Sequence, residues 1–200
     1  MAYASLERFR DITGRNVLAL QQAKEAGKKV VGQYCIYSPL EIALAAGAIP
    51  VSLCGTKNDS IPVAETMLPR SLCPLIKSSF GFALQDSCPY LAASDIVVAD
   101  TTCDGKKKMY ELLAAYKPVV LLQLPQIQDG DAKDYWRAQY AKPAARLEKD
   151  FGASITTGAL RDAVRLTNRL RRALKDVLDL AKRKPSPLTG MDLLALCFRA

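Results

Sequence analysis

Residues 28–54, KKVVGQYCIYSPLEIALAAGAIPVSLC, decide the fold. KKVVGQYC is a short β-rich run and predicts a strand over about Val30–Tyr34. Ser38-Pro39-Leu40-Glu41 then reads as a helix start, with a capping Ser, a Pro at the first helical position and a Glu three residues after the cap. The apolar LEIALAAGA follows, and AIPVSLC returns to a strand, about Pro50–Leu53. Strand, helix and strand in so few residues make one βαβ unit, whose two strands run parallel.

The same alternation extends in both directions. Upstream, about Ser5–Ala26 reads as an amphipathic helix ending at Gly27. Downstream, GTKNDSIP is a polar loop, and Cys73 to about Gln85 is a helix with Pro74 near its start. DIVVAD predicts a buried strand over about Ile96–Ala99, TTCDGKKK leads into the helix MYELLAAY, and PVVLLQLP gives a strand over about Val119–Leu122. Helices alternating with short apolar strands predict an α/β fold, Rossmann-like or flavodoxin-like, with a parallel sheet covered on both faces. From about Asp131 the pattern turns helical, so the chain divides into a cysteine-bearing α/β domain, 1–130, and a helical segment, 131–200. RKPSPLTG is a break, and Thr189-Gly190-Met191-Asp192 opens a further helix so close to Ala200 that the chain is expected to be part of something longer.

Composition narrows the chemistry. Of 200 residues, 50% are hydrophobic and 24% charged, which excludes a disordered, collagenous or membrane-spanning chain. Six cysteines are too few for a disulfide scaffold, and MAYASLERFRDITGR offers no apolar run for a signal peptide, so a reducing cytoplasm is expected, with thiols free or metal-bound. The absence of histidine removes Ser-His-Asp and Cys-His catalysis and His-containing zinc sites within this chain. Of the net charge of +8, +6 lies between Arg161 and Lys184. A basic stripe is the usual mark of nucleic-acid binding. Here Leu160, Val164, Leu170, Leu174, Val177, Leu178 and Ala181 recur at helical spacing, so the favoured reading for about Leu160–Lys182 is an amphipathic helix docked on the chain or a partner, not on DNA.

Cys35 and Cys103 each fall at the carboxyl end of a predicted strand just before a helix, which in an open parallel sheet is the ligand-binding edge. Cys73 opens its own helix after Pro69-Arg70-Ser71-Leu72. A helix amino terminus favours thiolate, the form that binds metal, and three such thiols can converge on one anionic cluster. The competing reading is a small buried hydrophobe, given more weight for Cys54, Cys88 and Cys197. Successive gaps of 19, 19, 15, 15 and 94 residues contain no paired short spacing of the closed zinc-site kind. Gly32, Gly47, Gly55, Gly81 and Gly105 form neither a Walker A loop nor G-x-G-x-x-G. Glu41 reads as a cap residue and Lys106, Lys107 and Lys108 as an exposed helix start, while Tyr34 and Tyr37 either shield a site or fill the core.

Together, GQYCIYSPLEIALAAGAIPVSLCG, LPRSLCPLIKSSFGFA and ASDIVVADTTCDGKKKMYELL resemble the amino-terminal half of the 2-hydroxyacyl-CoA dehydratase family, over roughly Val30–Asp192. That family includes benzoyl-CoA reductase subunits and the double-cubane-cluster reductases, and the S-L-C-G, L-C-P-L-I-K-S-S-x-G-F-A and T-T-C-D-G-K-K-K-M-Y-E-L-L blocks look closest to the latter. The resemblance implies an oxygen-sensitive iron–sulfur reductase or dehydratase, with a [4Fe-4S] or double-cubane [8Fe-9S] cluster. It would take low-potential electrons from an ATP-hydrolysing activator and act on 2-hydroxyacyl-CoA, through a ketyl radical, or on aromatic acyl-CoA or small molecules. By motif position Cys35, Cys73 and Cys103 would be the cluster thiolates, insulated behind Tyr34, Tyr37 and Phe80. A second α/β domain or homologous subunit, lacking from this chain, would enclose the site, and a dimer is expected. The contrasting reading is a noncatalytic α/β domain with structural cysteines and a basic helix that docks a partner; neither reading involves a membrane.

Overall fold

Four short segments rich in Val, Ile and Leu form the sheet. The computed structural model describes residues 12–199. Its strands are β1 (Val30–Tyr34), β2 (Ile49–Ser52), β3 (Ile96–Asp100) and β4 (Val119–Leu122), all parallel, in the order β2-β1-β3-β4. β1 and β3 are buried along their whole length, as expected of central strands covered on both faces. The expected Pro50–Leu53 strand lies one residue earlier, because Ile49 and not Leu53 enters the pairing with β1.

Nine helices surround the sheet among the described residues. They are α1 (Ile12–Glu25), α2 (Leu40–Ala45), α3 (Ile61–Ala64), α4 (Pro74–Leu84), α5 (Pro89–Ala93), α6 (Asp104–Leu113), α7 (Ala132–Phe151), α8 (Thr157–Ala181) and α9 (Gly190–Arg199). The Ser5–Asp11 part of the first expected helix lies outside the described residues. None of the nine is long and apolar enough to cross a membrane.

Strand alternation sends side chains to two cores. Tyr34, Val97 and Ala99 pack with Ile76 and Phe80 of α4 and with Met109, Tyr110 and Leu113 of α6. Val31, Ile96, Val98, Val120 and Leu122 face the other way, against Ala43 of α2 and Leu147 of α7. Pro143 sits inside α7 and removes one backbone donor, and nearby Gln139 turns its side-chain oxygen to the Gln123 N–H at 3.1 Å, tying α7 to the end of β4.

The Ser38–Glu41 capping arrangement does not form. Pro39, not Ser38, occupies the cap position, and no side chain caps the helix. The Ser38 hydroxyl instead lies 3.0 Å from the Tyr34 carbonyl and 3.1 Å from that of Val98, joining β1 to β3. Glu41 is not a cap either. It accepts from the Thr167 hydroxyl at 2.7 Å and pairs with Arg171 at 2.6 Å, and so receives the basic helix α8. Contact thus runs through Ala163, Thr167 and Arg171, while Val164, Leu170 and Leu178 of the expected stripe are exposed.

The amino edge of the sheet is clasped by Asp95, just before β3. Its carboxylate accepts from Lys24 of α1 at 2.9 Å and from the Val30 N–H at 2.8 Å, and its own N–H donates to the Val30 carbonyl at 2.9 Å. Lys117 adds bonds to the Ala92 and Ser94 carbonyls, both at 3.0 Å.

Candidate functional site

With strand order β2-β1-β3-β4, the chain reverses its winding between β1 and β3, and the crevice outside their carboxyl ends is where ligands bind in such sheets. Gln33 of β1 is abreast of Ser52 of β2, and Tyr34 is abreast of Ala99 of β3. Continuing those registers past the strands sets Cys54, Cys35 and Asp100 in one row across the edge. Cys35 leaves the strand in the left-handed region, φ 67°, which is uncommon for a residue with a side chain and turns its thiol out of the β pattern.

The row is electrostatically organised. The Lys106 ammonium, from the first turn of α6, donates to the Cys35 sulfur and lies 3.4 Å from the Thr102 hydroxyl. A hydrogen bond from the Cys54 thiol, with help from Lys106, overcomes burial and lowers Cys35 to about 6, so Cys35 is largely thiolate at neutral pH. Sharing that hydrogen bond, and burial, push the Cys54 thiol the other way, so it keeps its proton. Burial works against the Lys106 charge, but the Cys35, Asp100 and Cys103 sites around it raise its pKa.

Beneath the thiols the environment is closed. Asp100 is fully buried, and one of its oxygens accepts from the Tyr37 N–H at 3.0 Å, while the other has no partner. The Tyr110 hydroxyl is likewise buried and unpartnered, with its ring 5.6 Å from that of Tyr34. Burial first, then the neighbouring thiols and Asp100, push the Tyr110 hydroxyl upward; Tyr34 is raised by burial and by Cys88, Cys54 and Cys35. Both remain neutral phenols. Tyr34 therefore belongs to the core, whereas Tyr37 is a surface ring tilted against Trp136, which in turn stacks on Tyr140. Phe80 faces Tyr116, beyond the far end of α6, so it packs the core and not this edge.

Cys73 and Cys103 occupy the N-cap positions of α4 and α6 without a side-chain cap hydrogen bond, and both are exposed. The two helix starts adjoin. A Cβ on Gly105 would lie 2.7 Å from the Leu72 Cδ1 and 3.0 Å from the Ile76 Cδ1, so a larger residue here would push those side-chain ends aside. The loop ahead of Cys73 is held by Lys77, whose ammonium pairs with Glu65 and donates to the Arg70 carbonyl, each at 2.7 Å. Cys35 and Cys103 thus share the surroundings of Lys106, and Cys73 stands on the adjoining helix start. Among the described residues no three His, Cys, Asp or Glu side chains are gathered closely enough to hold a metal ion.

Three participants escaped the sequence reading. Lys106 was expected on an exposed helix start; Lys107 and Lys108 fit that description, pairing with Asp104 and Glu111, but Lys106 turns inward. Cys54 was weighted toward a structural role, although its distance of 19 residues from Cys35 equals the offset between β1 and β2. Asp100 was read only as the end of a strand. The donor chemistry fits an anionic iron–sulfur group: soft thiols, one of them ionised, two at helix amino termini, and a lysine as countercharge.

Comparison with known proteins follows the same residues. The family described as "2-hydroxyglutaryl-CoA dehydratase, D-component" matches residues 35–200. YjiM of Escherichia coli (strain K12), named as a dehydratase subunit, is 46% identical over 98% of this chain and 52% of its own length. The lactoyl-CoA dehydratase subunit beta of Anaerotignum propionicum is 27% identical over 94% of this chain and 50% of its own. A benzoyl-CoA reductase subunit of Thauera aromatica is 27% identical over 89% and 47%. The chain spans about half the length of the curated relatives it matches. From Cys35 onward, this chain belongs to the 2-hydroxyglutaryl-CoA dehydratase D-component family.

Proposed function

We propose that this chain is the cysteine-bearing half of an iron–sulfur reductase or dehydratase, with Cys35, Cys73 and Cys103 holding the cluster at the carboxyl edge of the sheet. The observation that carries the reading is the switch point itself, where a thiol beside a lysine and two thiols at helix N-cap positions lie at adjoining strand and helix ends. When bound, a [4Fe-4S] or double-cubane [8Fe-9S] group would supply one-electron transfer at low potential.

The chain's own residues have separate tasks. Lys106 offsets thiolate charge at Cys35. The amide N–H groups at the starts of α4 and α6 favour negative charge above them. Tyr34 and Tyr110 close the floor against water while staying protonated, and Tyr37 with Trp136 and Tyr140 walls the side toward α7. The exposed thiols are covered by a second α/β domain or by a homologous subunit, and an ATP-hydrolysing activator in the cytoplasm delivers electrons. The names of the relatives support a 2-hydroxyacyl-CoA or aromatic acyl-CoA as the substrate of the complete enzyme.

Anaerobic reconstitution of the wild type and of Cys35→Ser, Cys73→Ser and Cys103→Ser, followed by iron and acid-labile sulfide counting and electron paramagnetic resonance, tests the assignment. Each variant is expected to lose iron and change the signal. Full iron in all three returns the cysteines to a structural role and the chain to a noncatalytic docking module.

A further inference from the structure

The turn that begins at Cys35 is built with little apolar support. Cys35 stands in the left-handed region, φ 67°, a conformation that residues with a side chain seldom hold unaided. Ile36 is 84% exposed, and Tyr37, tilted against Trp136, is a surface ring, so packing alone does not fix the turn. Polar anchors do. The Ser38 hydroxyl bonds back to the Tyr34 and Val98 carbonyls, and the Tyr140 hydroxyl donates to the Tyr37 carbonyl at 3.3 Å.

The anchor between Cys35 and Ser38 comes from β3. One oxygen of the Asp100 carboxylate accepts from the Tyr37 N–H at 3.0 Å. Asp100 is the last residue of β3, and one step past the Tyr34–Ala99 pair its neighbour across the register is Cys35. Its side chain therefore reaches from beside Cys35 to the amide two residues further on. Asp100 is 0% exposed, and its other oxygen has no partner among the described residues. Burying a carboxyl group in this way is costly, and the end of a strand does not require one. Water does not compete for the bond to Tyr37 there, whereas the Tyr140 bond lies at the surface.

We propose that Asp100 is the positioning residue for Cys35: by holding the Tyr37 N–H it fixes the left-handed turn, and with it the direction in which the Cys35 sulfur leaves the sheet. Groups that orient a ligand without touching the metal commonly decide whether the ligand is in place before the metal arrives. The inference rests on the cluster reading only in what the sulfur is aimed at; the turn and its anchor belong to the chain itself. The role needs a hydrogen-bond acceptor. Asparagine supplies one, because its side-chain oxygen can take the place of the accepting oxygen, while its NH2 in that place would meet another N–H. Alanine supplies none. The Tyr37 amide then loses its buried partner, and Cys35 is released toward the ordinary β region.

Nuclear magnetic resonance reads amide hydrogen exchange in the full chain, kept metal-free, for the wild type, Asp100→Asn and Asp100→Ala. In Asp100→Ala the Tyr37 amide is expected to exchange about 10- to 100-fold faster than in the wild type, and in Asp100→Asn within about threefold of it, with the Val97 and Val98 amides unchanged in both. If Asp100→Ala does not fold, Asp100→Val, which fills the space with a side chain suited to a strand, takes its place. The same proteins are then reconstituted anaerobically with iron and sulfide. The wild type and Asp100→Asn are expected to share one electron paramagnetic resonance spectrum and one iron content, and Asp100→Ala to show a different spectrum and less iron. A wild type that takes up no iron refutes the cluster reading and leaves the exchange rates to decide this one. The proposal is overturned by a Tyr37 amide as slow in Asp100→Ala as in the wild type, or by a fast amide with iron content and spectrum unchanged. Exchange in Asp100→Asn as fast as in Asp100→Ala overturns it as well, because an acceptor oxygen would then not be what holds the turn.

Discussion

Replacing Gly81 with Ala sets two effects of known size against each other. Gly81 lies inside α4, where alanine gains about 1 kcal/mol over glycine in helix propensity. The added Cβ would, however, stand 1.8 Å from the Ser60 carbonyl oxygen and 2.6 Å from its carbon. Those atoms are backbone, so no rotamer change relieves the overlap. Either α4 or the chain entering α3 must move, at a cost of about 3 kcal/mol. Movement also strains buried hydrogen bonds from the Ser60 hydroxyl to the Ser78 carbonyl, 3.0 Å, and from the Ser78 hydroxyl to the Lys57 carbonyl, 2.6 Å, worth about 1 kcal/mol each. The sum is a net loss of about 2–4 kcal/mol, or a fall in Tm of about 5–15 °C. Urea unfolding followed by far-ultraviolet circular dichroism measures it, with an unchanged m-value showing that only stability has moved. A Gly81→Ala protein as stable as the wild type, or more so, refutes the reasoning, because helix propensity would then outweigh the contact with Ser60.

Three further outcomes follow from the charges. Glu65→Gln leaves the Lys77 ammonium, only 8% exposed, without its carboxylate, and is expected to cost about 2–3 kcal/mol and to speed alkylation of Cys73; adding Lys77→Met should recover most of the stability. Burial disfavours the Glu41 charge, but the bonds from Thr167, its own backbone and Arg171 hold its carboxyl below the usual value. Its contribution is therefore present above about pH 4.3 and lost as pH falls through the lowered value, so the gap between wild type and Glu41→Gln should close in acid. With Arg171 54% exposed, that gap should stay below about 1 kcal/mol. In the metal-free chain, iodoacetamide labelling of Cys35 should rise with a midpoint near pH 6, and Cys54→Ser or Lys106→Met should move the midpoint upward; an unmoved midpoint in both variants would contradict the hydrogen-bonded row.

How much was legible follows from which forces act locally. Val119–Leu122 could be bounded from sequence because a covered parallel strand reads as a continuous apolar run with proline or polar residues beside it, and Val30–Tyr34, which carries Gly32 and Gln33, because its β-rich run stands between two lysines and a helix start. The position of Cys35 followed from the β-rich run before it, and that of Cys103 from DIVVAD. What the sequence concealed depends on partners distant along the chain. Ser38 has the residue pattern of a cap, but the carbonyls of Tyr34 and Val98 compete for its hydroxyl once β1 and β3 are adjacent. Lys106 is indistinguishable from Lys107 and Lys108 in a run of three lysines, and only the direction of the first turn of α6 separates them. Cys54 required the strand register, which is a property of the assembled sheet.

The Asp95 clasp has a consequence for how this molecule tolerates change. It fastens β1, β3 and α1 at the amino edge, while the thiols, Lys106 and Asp100 occupy the carboxyl edge at the other end of the strands. Cohesion and reactivity are therefore inherited through different residues. Substitutions at Lys24, Asp95 or Lys117 should surface as lower melting with thiol behaviour intact, and those at Cys54 or Lys106 as altered thiol behaviour with little change in melting. A library of variants screened for both properties would separate into two populations, and the reactive edge could be rewritten many times without the fold registering the change.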